Sequence, residues 1–489
     1  MITSKRFIQN ISASTIQLVT NQATGLILFY LLSKTLDKAS FGSFNWALAV
    51  LLICFGILQC GMDLLMVKKT ASGESRFSIL SLYISHVCLA GMLFYILLLV
   101  AYLLFPSGTS LYLLLFLGAG RLFIFLSTPF KQLCTGLEKF RLLLLMSVGS
   151  SLFKTLLLLV LYFLEQVSLK NILPVFIMGD FIELVITLVL SRKYLKAPLL
   201  PHFNGIAYRR LLKEGLPLLG TAVLAVGMAR LDWVLIGIFL PAEKLAEYSF
   251  AYKAFELSTF PLLIIAPILV PWFSKIFRNN QVDETSVKIL KALLSVELII
   301  ASFTSMILVL AWAPAVDLIT AGKYGSVNRN TILLLSLCVS FLYLNNFFWT
   351  IQVSSSRLKE VFRVFMATFL VNTLGDLVLI PLFGNEGAAA AYLLSVVVQA
   401  VLFVRTTKVE SLDMLPRSLF VYPLCALVSG LISFYFFSSP PAVIATAIGI
   451  YLVIVLFSLN IMIPQYKTLI KGTKMGHYKP IHIEEHSQR

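Results

Sequence analysis

The chain has 489 residues, of which 59% are hydrophobic and only 13% charged; its mean hydropathy is +0.91 and its formal net charge +16. A soluble chain carries roughly 25% charged residues, and each ionised group placed in hydrocarbon is costly, so this composition excludes a soluble protein and describes one that lies in a bilayer. The positive charge forms no basic domain or aromatic-interleaved basic stretch, which excludes nucleic acid as a partner.

Apolar runs of the roughly 17–25 residues that span a bilayer fall at 8–32, 43–66, 78–105, 111–127, 142–164, 172–190, 215–240, 248–272, 289–312, 331–352, 361–383, 387–404, 418–437 and 441–463. They predict an all-α polytopic membrane protein of about fourteen transmembrane helices. The first run has no small-residue cleavage site and reads as a retained helix rather than a signal peptide. Along it Asn10, Ser14, Gln17, Asn21 and Thr24 fall at spacings of 4, 3, 4 and 3, which is one helix face. Amides and hydroxyls are expensive against lipid. That face therefore looks at water, as a cavity wall offering hydrogen bonds, or at a neighbouring helix as glue.

Arg121 lies within the fourth run and Lys154 near the centre of the fifth. Intramembrane cations are functional candidates unless an acid neutralises them. Asp180 and Glu183 share a face of the sixth run, where like charges repel or hold a proton. They are either ion-coupling candidates or counter-charges to Lys154. Arg230, in the seventh run, shares a face with Gly227 and Gly237, so it points to where another helix approaches. Lys253 in the eighth run has Glu256 at i+3, a local ion pair. Pro261, Pro267 and Pro271 cluster in that run, and Pro217 opens the one before it. Glu297, about two turns into the ninth run, is a further coupling candidate. The tenth repeats the polar stripe with Asn345, Trp349, Gln352 and Ser356; Trp349 could stack on a sugar or anchor the interface. In the eleventh, Asp376 pairs at i+4 with Asn372 and is expected near the outer rim. His86, the one histidine within a run, reads as packing.

Lys and Arg divide 29 to 6 between alternate connections, with four more inside helices, which places both termini in the cytoplasm. The basic connection 191–214 separates six helices (1–190) from six more (215–404). Residues 405–463 add two helices, and 464–489 form a basic tail. "LLSKTLDKASFGSFNWA" at 31–47 aligns without a gap with "IFLPAEKLAEYSFAYKA" at 238–254, an offset of 207. Six helices per half make parallel pseudo-repeats. The six cysteines are scattered without CxxC spacing, so neither a disulfide framework nor a metal site is expected. No cofactor motif stands out either.

Several segments resemble the polysaccharide-transporter branch of the multidrug/oligosaccharidyl-lipid/polysaccharide superfamily, the Wzx-type flippases of O-antigen and lipopolysaccharide biosynthesis. They are the first hairpin, "GLILFYLLSKTLDKASFGSFNWALAVLLICFGILQCGMDLLMVKK", then "CTGLEKFR" at 134–141, the Arg-Leu-Asp stretch "ARLDWVLIGIF", and "VNTLGDLVLIPLFGNEGAAAAYLLS" at 371–395. The resemblance implies two six-helix lobes around a central cavity, with two helices outside them. It implies transport rather than catalysis: an undecaprenyl-pyrophosphate-linked glycan carried by alternating access to the outer face of the bacterial inner membrane, among membrane lipids and beside polysaccharide polymerase machinery. Under it, Arg121, Lys154, Arg230 and Lys253 are pyrophosphate candidates, because a cation suits an anionic head. An acid-lined cavity would instead point to a drug or cation antiporter. A lipid-linked-sugar polymerase would need a larger outer loop than the longest here, about 313–330.

Overall fold

A computed structural model describes residues 4–73, 76–105, 109–198, 204–262, 269, 273–274, 284–355, 357–407 and 415–462, with side chains from Ile16 onward. Among these residues the regular structure is helical throughout. In chain order the α-helices are α1 (Ser4–Thr35), α2 (Lys38–Leu58), α3 (Met62–Ala71), α4 (Arg76–Leu104), α5 (Thr109–Gly136), α6 (Phe140–Phe163), α7 (Leu169–Leu190), α8 (Gly205–Phe239), α9 (Ala242–Ser258), α10 (Glu284–Thr320), α11 (Arg329–Ser354), α12 (Leu358–Thr406), α13 (Leu415–Phe436) and α14 (Pro440–Met462).

Twelve of these stretches are long and apolar enough to cross a membrane. Two facts reconcile twelve with fourteen. The 49 residues of α12 would stretch to about 74 Å as a straight helix, more than twice the roughly 30 Å of hydrocarbon. Gly384 breaks it, at φ 63° and ψ −133°, a conformation that glycine adopts without a Cβ penalty. The two legs meet where the eleventh and twelfth apolar runs meet. α9, with 17 residues, is the other addition. Pro267 and Pro271 lie outside the described residues.

The sequence reading needs three adjustments. The run 43–66 is not one helix: Cys60 and Gly61 both take positive φ, ending α2 and starting α3. α8 begins at Gly205, inside the stretch read as connection, so Pro217 sits twelve residues into the helix rather than at its start. Asp376, expected near the outer rim, is fully buried within the protein.

In the first lobe α1 packs on α6, and α5 on α4 and α7. In the second, α12 packs on α8 and α11, and α10 on α11. α13 and α14 pack on each other and on α10. The lobes join along α2, which lies against α8 and α9, and through α3 against α8. Missing side chains permit that approach. A Cβ on Gly42 would run into the backbone of Ala242, and one on Gly237 into the Trp46 indole. Gly61 faces Gly215 and Leu219 in the same way. At the start of α8, His86 bonds to Tyr208 (2.9 Å) and to the Leu58 carbonyl (2.7 Å), so it ties α4 to α2 and α8.

Candidate functional site

Four of the charges inside the first lobe form two ion pairs. Lys154 of α6 meets Asp180 of α7, and Lys131 of α5 meets Glu183 one turn further along. Gly120 and Gly179 leave the room: a Cβ on Gly120 would lie 2.7 Å from the Asp180 carboxylate, and one on Gly179 would strike the Lys154 stem. Two acids on one helix face do not repel here, because each has its own ammonium. Lys131 is the sixth residue from the C-terminal end of α5, where a tally of loop charge absorbs it and hides its part in this ladder. Arg121 is half-buried and has no ion-pair partner among the described residues.

The polar face of α1 is applied to α6. Gln17 Nε2 donates to Ser147 Oγ at 3.3 Å, and Ser151 Oγ to Asn21 Oδ1 at 3.4 Å. Thr24 turns its hydroxyl back to the Thr20 carbonyl. The side chains of Asn10 and Ser14 lie outside the described residues. Of the second stripe, Asn345 donates to the Val396 carbonyl (3.0 Å) and to Gln399 Oε1 (2.9 Å), and Gln352 donates to Thr406 and Thr407. Both are buried against the second leg of α12. Their amide oxygens have no donor among the described residues. Trp349 is half-buried, and Ser356 is outside the described residues.

Charge is unevenly distributed in the second lobe. Arg230 of α8 and Lys253 of α9 share one carboxylate, Glu256, at 3.4 and 2.7 Å. The guanidinium also lies over the rings of Trp233 (4.6 Å) and Tyr252 (5.8 Å), in cation–π geometry. Side-chain exposures of 18% for both cations and 33% for Glu256 leave this trio partly open at mid-helix. Open charge is costly against lipid. Its carboxylate balances only one of the two cations.

Three buried acids lie in the same lobe. Asp232 accepts from the Trp233 amide (2.8 Å) and the Tyr248 hydroxyl (2.7 Å). Asp376 accepts from Asn372 Nδ2 at 2.9 Å, while its Oδ1 and the Asn372 Oδ1 have no donor. Glu297 is buried in α10 with neither carboxylate oxygen bonded. Carboxyls so placed can hold a proton or a small cation. Among the described residues no group of three or more His, Cys, Asp or Glu could hold a metal ion. Sequence reasoning named Glu297 but did not foresee the Tyr248–Asp232 bond between α8 and α9.

Residues 7–277 match the family model described as polysaccharide biosynthesis protein. No curated protein matches the sequence. Among solved structures, the lipid II flippase MurJ in an inward closed conformation superposes with a TM-score of 0.73 at 15% identity, covering 92% of this chain and 99% of that one. An inward-facing multidrug-resistance MATE transporter of the MOP superfamily superposes at 0.62, with 12% identity and 82% and 98% coverage. A MOP-superfamily transporter from Pyrococcus furiosus, whose binding pocket is described as of reverse polarity, superposes at 0.55, with 13% identity and 87% and 95% coverage. At these identities the likeness is one of fold, and the folds are those of transporters and flippases.

Proposed function

The chain belongs to the polysaccharide biosynthesis protein family, and from that premise we propose that it is a flippase for undecaprenyl-pyrophosphate-linked oligosaccharide. In this reading an O-antigen, capsule or exopolysaccharide repeat unit moves from the cytoplasmic to the outer face of a bacterial inner membrane, and both termini are cytoplasmic. The observation that carries the proposal is the cluster of Arg230 and Lys253 around a single Glu256, at mid-helix and partly open.

A pyrophosphate brings two or three negative charges into the membrane, and water must be replaced by donors that do not relax away. The planar Arg230 fork offers two parallel N–H bonds and stays charged at any working pH. Its stacking on Trp233 and Tyr252 fixes its plane. Lys253 adds a point charge beside it. Arg121, half-buried and without an ion-pair partner among the described residues, is a second cation available from the opposite lobe. Lys154 is held by Asp180 and contributes to the frame instead. An inside-negative potential already favours outward movement of an anion by about 2.3 kcal/mol per charge per 100 mV. The protein's task is then to lower the barrier for the head. The unbonded carboxyls Glu297 and Asp376 are where a proton or cation would reset the empty carrier.

Arg230→Ala is expected to leave the protein folded and to abolish export of surface glycan, with lipid-linked oligosaccharide accumulating on the cytoplasmic leaflet. Wild-type export by that variant removes Arg230 from the mechanism. Mass spectrometry of lipid bound to the purified protein then names carrier and glycan together. The alternative, a drug or cation antiporter, draws on the MATE-like fold and the unbonded acids; purified protein that binds organic cations and no pyrophosphate lipid would favour it.

A further inference from the structure

Side chains join the lobes at both ends of the bundle: near the start of α8, Lys69 of α3 meets Glu214 at 2.8 Å and His86 of α4 meets Tyr208 at 2.9 Å. At the end that carries residues 33–40, 240–247 and 321–328, side chains of one lobe repeatedly reach the other. Lys38, the first residue of α2, places its ammonium 2.7 Å from the Glu247 carboxylate of α9. Lys244 approaches the other oxygen of the same carboxylate at 3.1 Å. The Glu247 carbonyl accepts from Asn328 Nδ2 at 2.9 Å. Lys323 donates to the Ser33 carbonyl (2.7 Å) and to that of Leu36 at the C-terminal end of α1, where carbonyls lack helical partners. Tyr30 donates to the Ile319 carbonyl, and Asn45 to Ser249 Oγ. Beneath these bonds Phe250 stacks on Tyr324, with centroids 4.5 Å apart, and Phe41 meets the edge of that pair. Towards its other end α1 turns Gln17 and Asn21 to its own lobe.

We propose that Glu247 is the keystone of an ionic latch that holds the lobes together at this end, and that the Lys38–Glu247 pair must break whenever they part there. Burial makes the pair consequential. Glu247 is 8% exposed and Lys38 26%, so an unmatched partner left behind after one is removed would be poorly hydrated. In the parted state both ions would meet water, and the loss of a partner would be nearly free. The pair therefore favours the closed state alone, and its removal shifts the population. The repeat alignment shows why the Lys38–Glu247 pair has no symmetry mate at this end. At the offset of 207, Lys38 corresponds to Leu245 and Glu247 to Ser40, so the symmetry-related position holds no charge. The latch is independent of which cargo the protein accepts.

The test uses the full chain without its native cysteines, in lipid nanodiscs, with spin labels at the exposed positions Lys170→Cys and Arg329→Cys. These flank the latch from opposite lobes. Pulsed electron–electron distances should show one predominant short population. Glu247→Gln and Lys38→Gln should each raise the longer-distance fraction about ten-fold. The reversal Lys38→Glu with Glu247→Lys should restore the short population, because it re-forms the pair with opposite polarity. Thermal unfolding checks that each variant is folded. Folded single variants with an unchanged distribution overturn the latch, and so does a reversal that stays as open as the singles. Should one single variant fail to fold, the other and the reversal decide the matter.

Discussion

The two lobes treat buried charge in opposite ways. In the first, Asp180 and Glu183 each own a lysine, and the pairs staple α5, α6 and α7 to one another. In the second, two cations contend for Glu256, while Glu297 and one oxygen of Asp376 have no donor among the described residues. Paired charge is inert chemistry and rigid structure. Unpaired charge is expensive in a bilayer and persists where a ligand, proton or ion completes it. The contrast sets the Lys154–Asp180 and Lys131–Glu183 ladder, which braces helices, apart from the Arg230–Lys253–Glu256 trio, which carries excess charge.

The contrast can be broken by substitution. The largest effect is expected at Asp180→Ala, which strands Lys154 and should cost about 3–5 kcal/mol, read by denaturant unfolding in detergent. A loss under about 1 kcal/mol would mean that the ladder is not a frame. Next comes the cap at the latch end, where the Asp37 carboxylate accepts from the Ser40 amide at 2.9 Å. Bonds from the Ser40 hydroxyl and amide hold its carboxyl below the ordinary value of 3.8. Its contribution is therefore complete above that value and is lost as the pH falls through the lowered one. Asp37→Ala should cost about 1 kcal/mol at neutral pH, and its unfolding curve should converge with the wild type in acid. Smaller still, Gln17→Ala and Asn21→Ala remove one α1–α6 bond each, at about 0.6 kcal/mol; if they instead abolish export, that face does touch cargo. The smallest effect, and the sharpest contrast with Asp180, is expected at Glu297→Gln, which should leave the melting temperature no lower. A marked loss would reveal a partner for Glu297 and erase the difference between the lobes.

Much of the fold was legible because a bilayer writes in long hydrophobic runs. The turn at "PLFGNEG" could be placed because Pro381 and Gly384 punctuate an otherwise continuous stretch. The break at Cys60–Gly61 could not, since hydropathy continues across it and only tertiary contact with Gly215 fixes the left-handed pair. The site was legible in part. Arg230, Lys253 and Glu256 announce themselves as charges in apolar surroundings. Which neighbour a polar stripe meets is a different question, and periodicity gives the face without the partner. Asn345 and Gln352 share a face as their spacing requires, yet that face meets α12. Lys131 was hidden for the opposite reason, because a lysine near a helix end looks like loop charge until Glu183 of α7 is seen beside it.

The contact between Trp46 and Gly237 has a practical consequence. The Trp46 indole donates to the Val234 carbonyl at 3.2 Å, across the boundary between the lobes, in a slot open only because residue 237 has no side chain. When the lobes part, that indole loses its acceptor and meets water, and its emission should move to longer wavelength. Of the five tryptophans, it is the one bonded across this boundary among the described residues. With the other four replaced by phenylalanine, turnover could be followed in real time by intrinsic fluorescence, without attached dye or knowledge of the cargo.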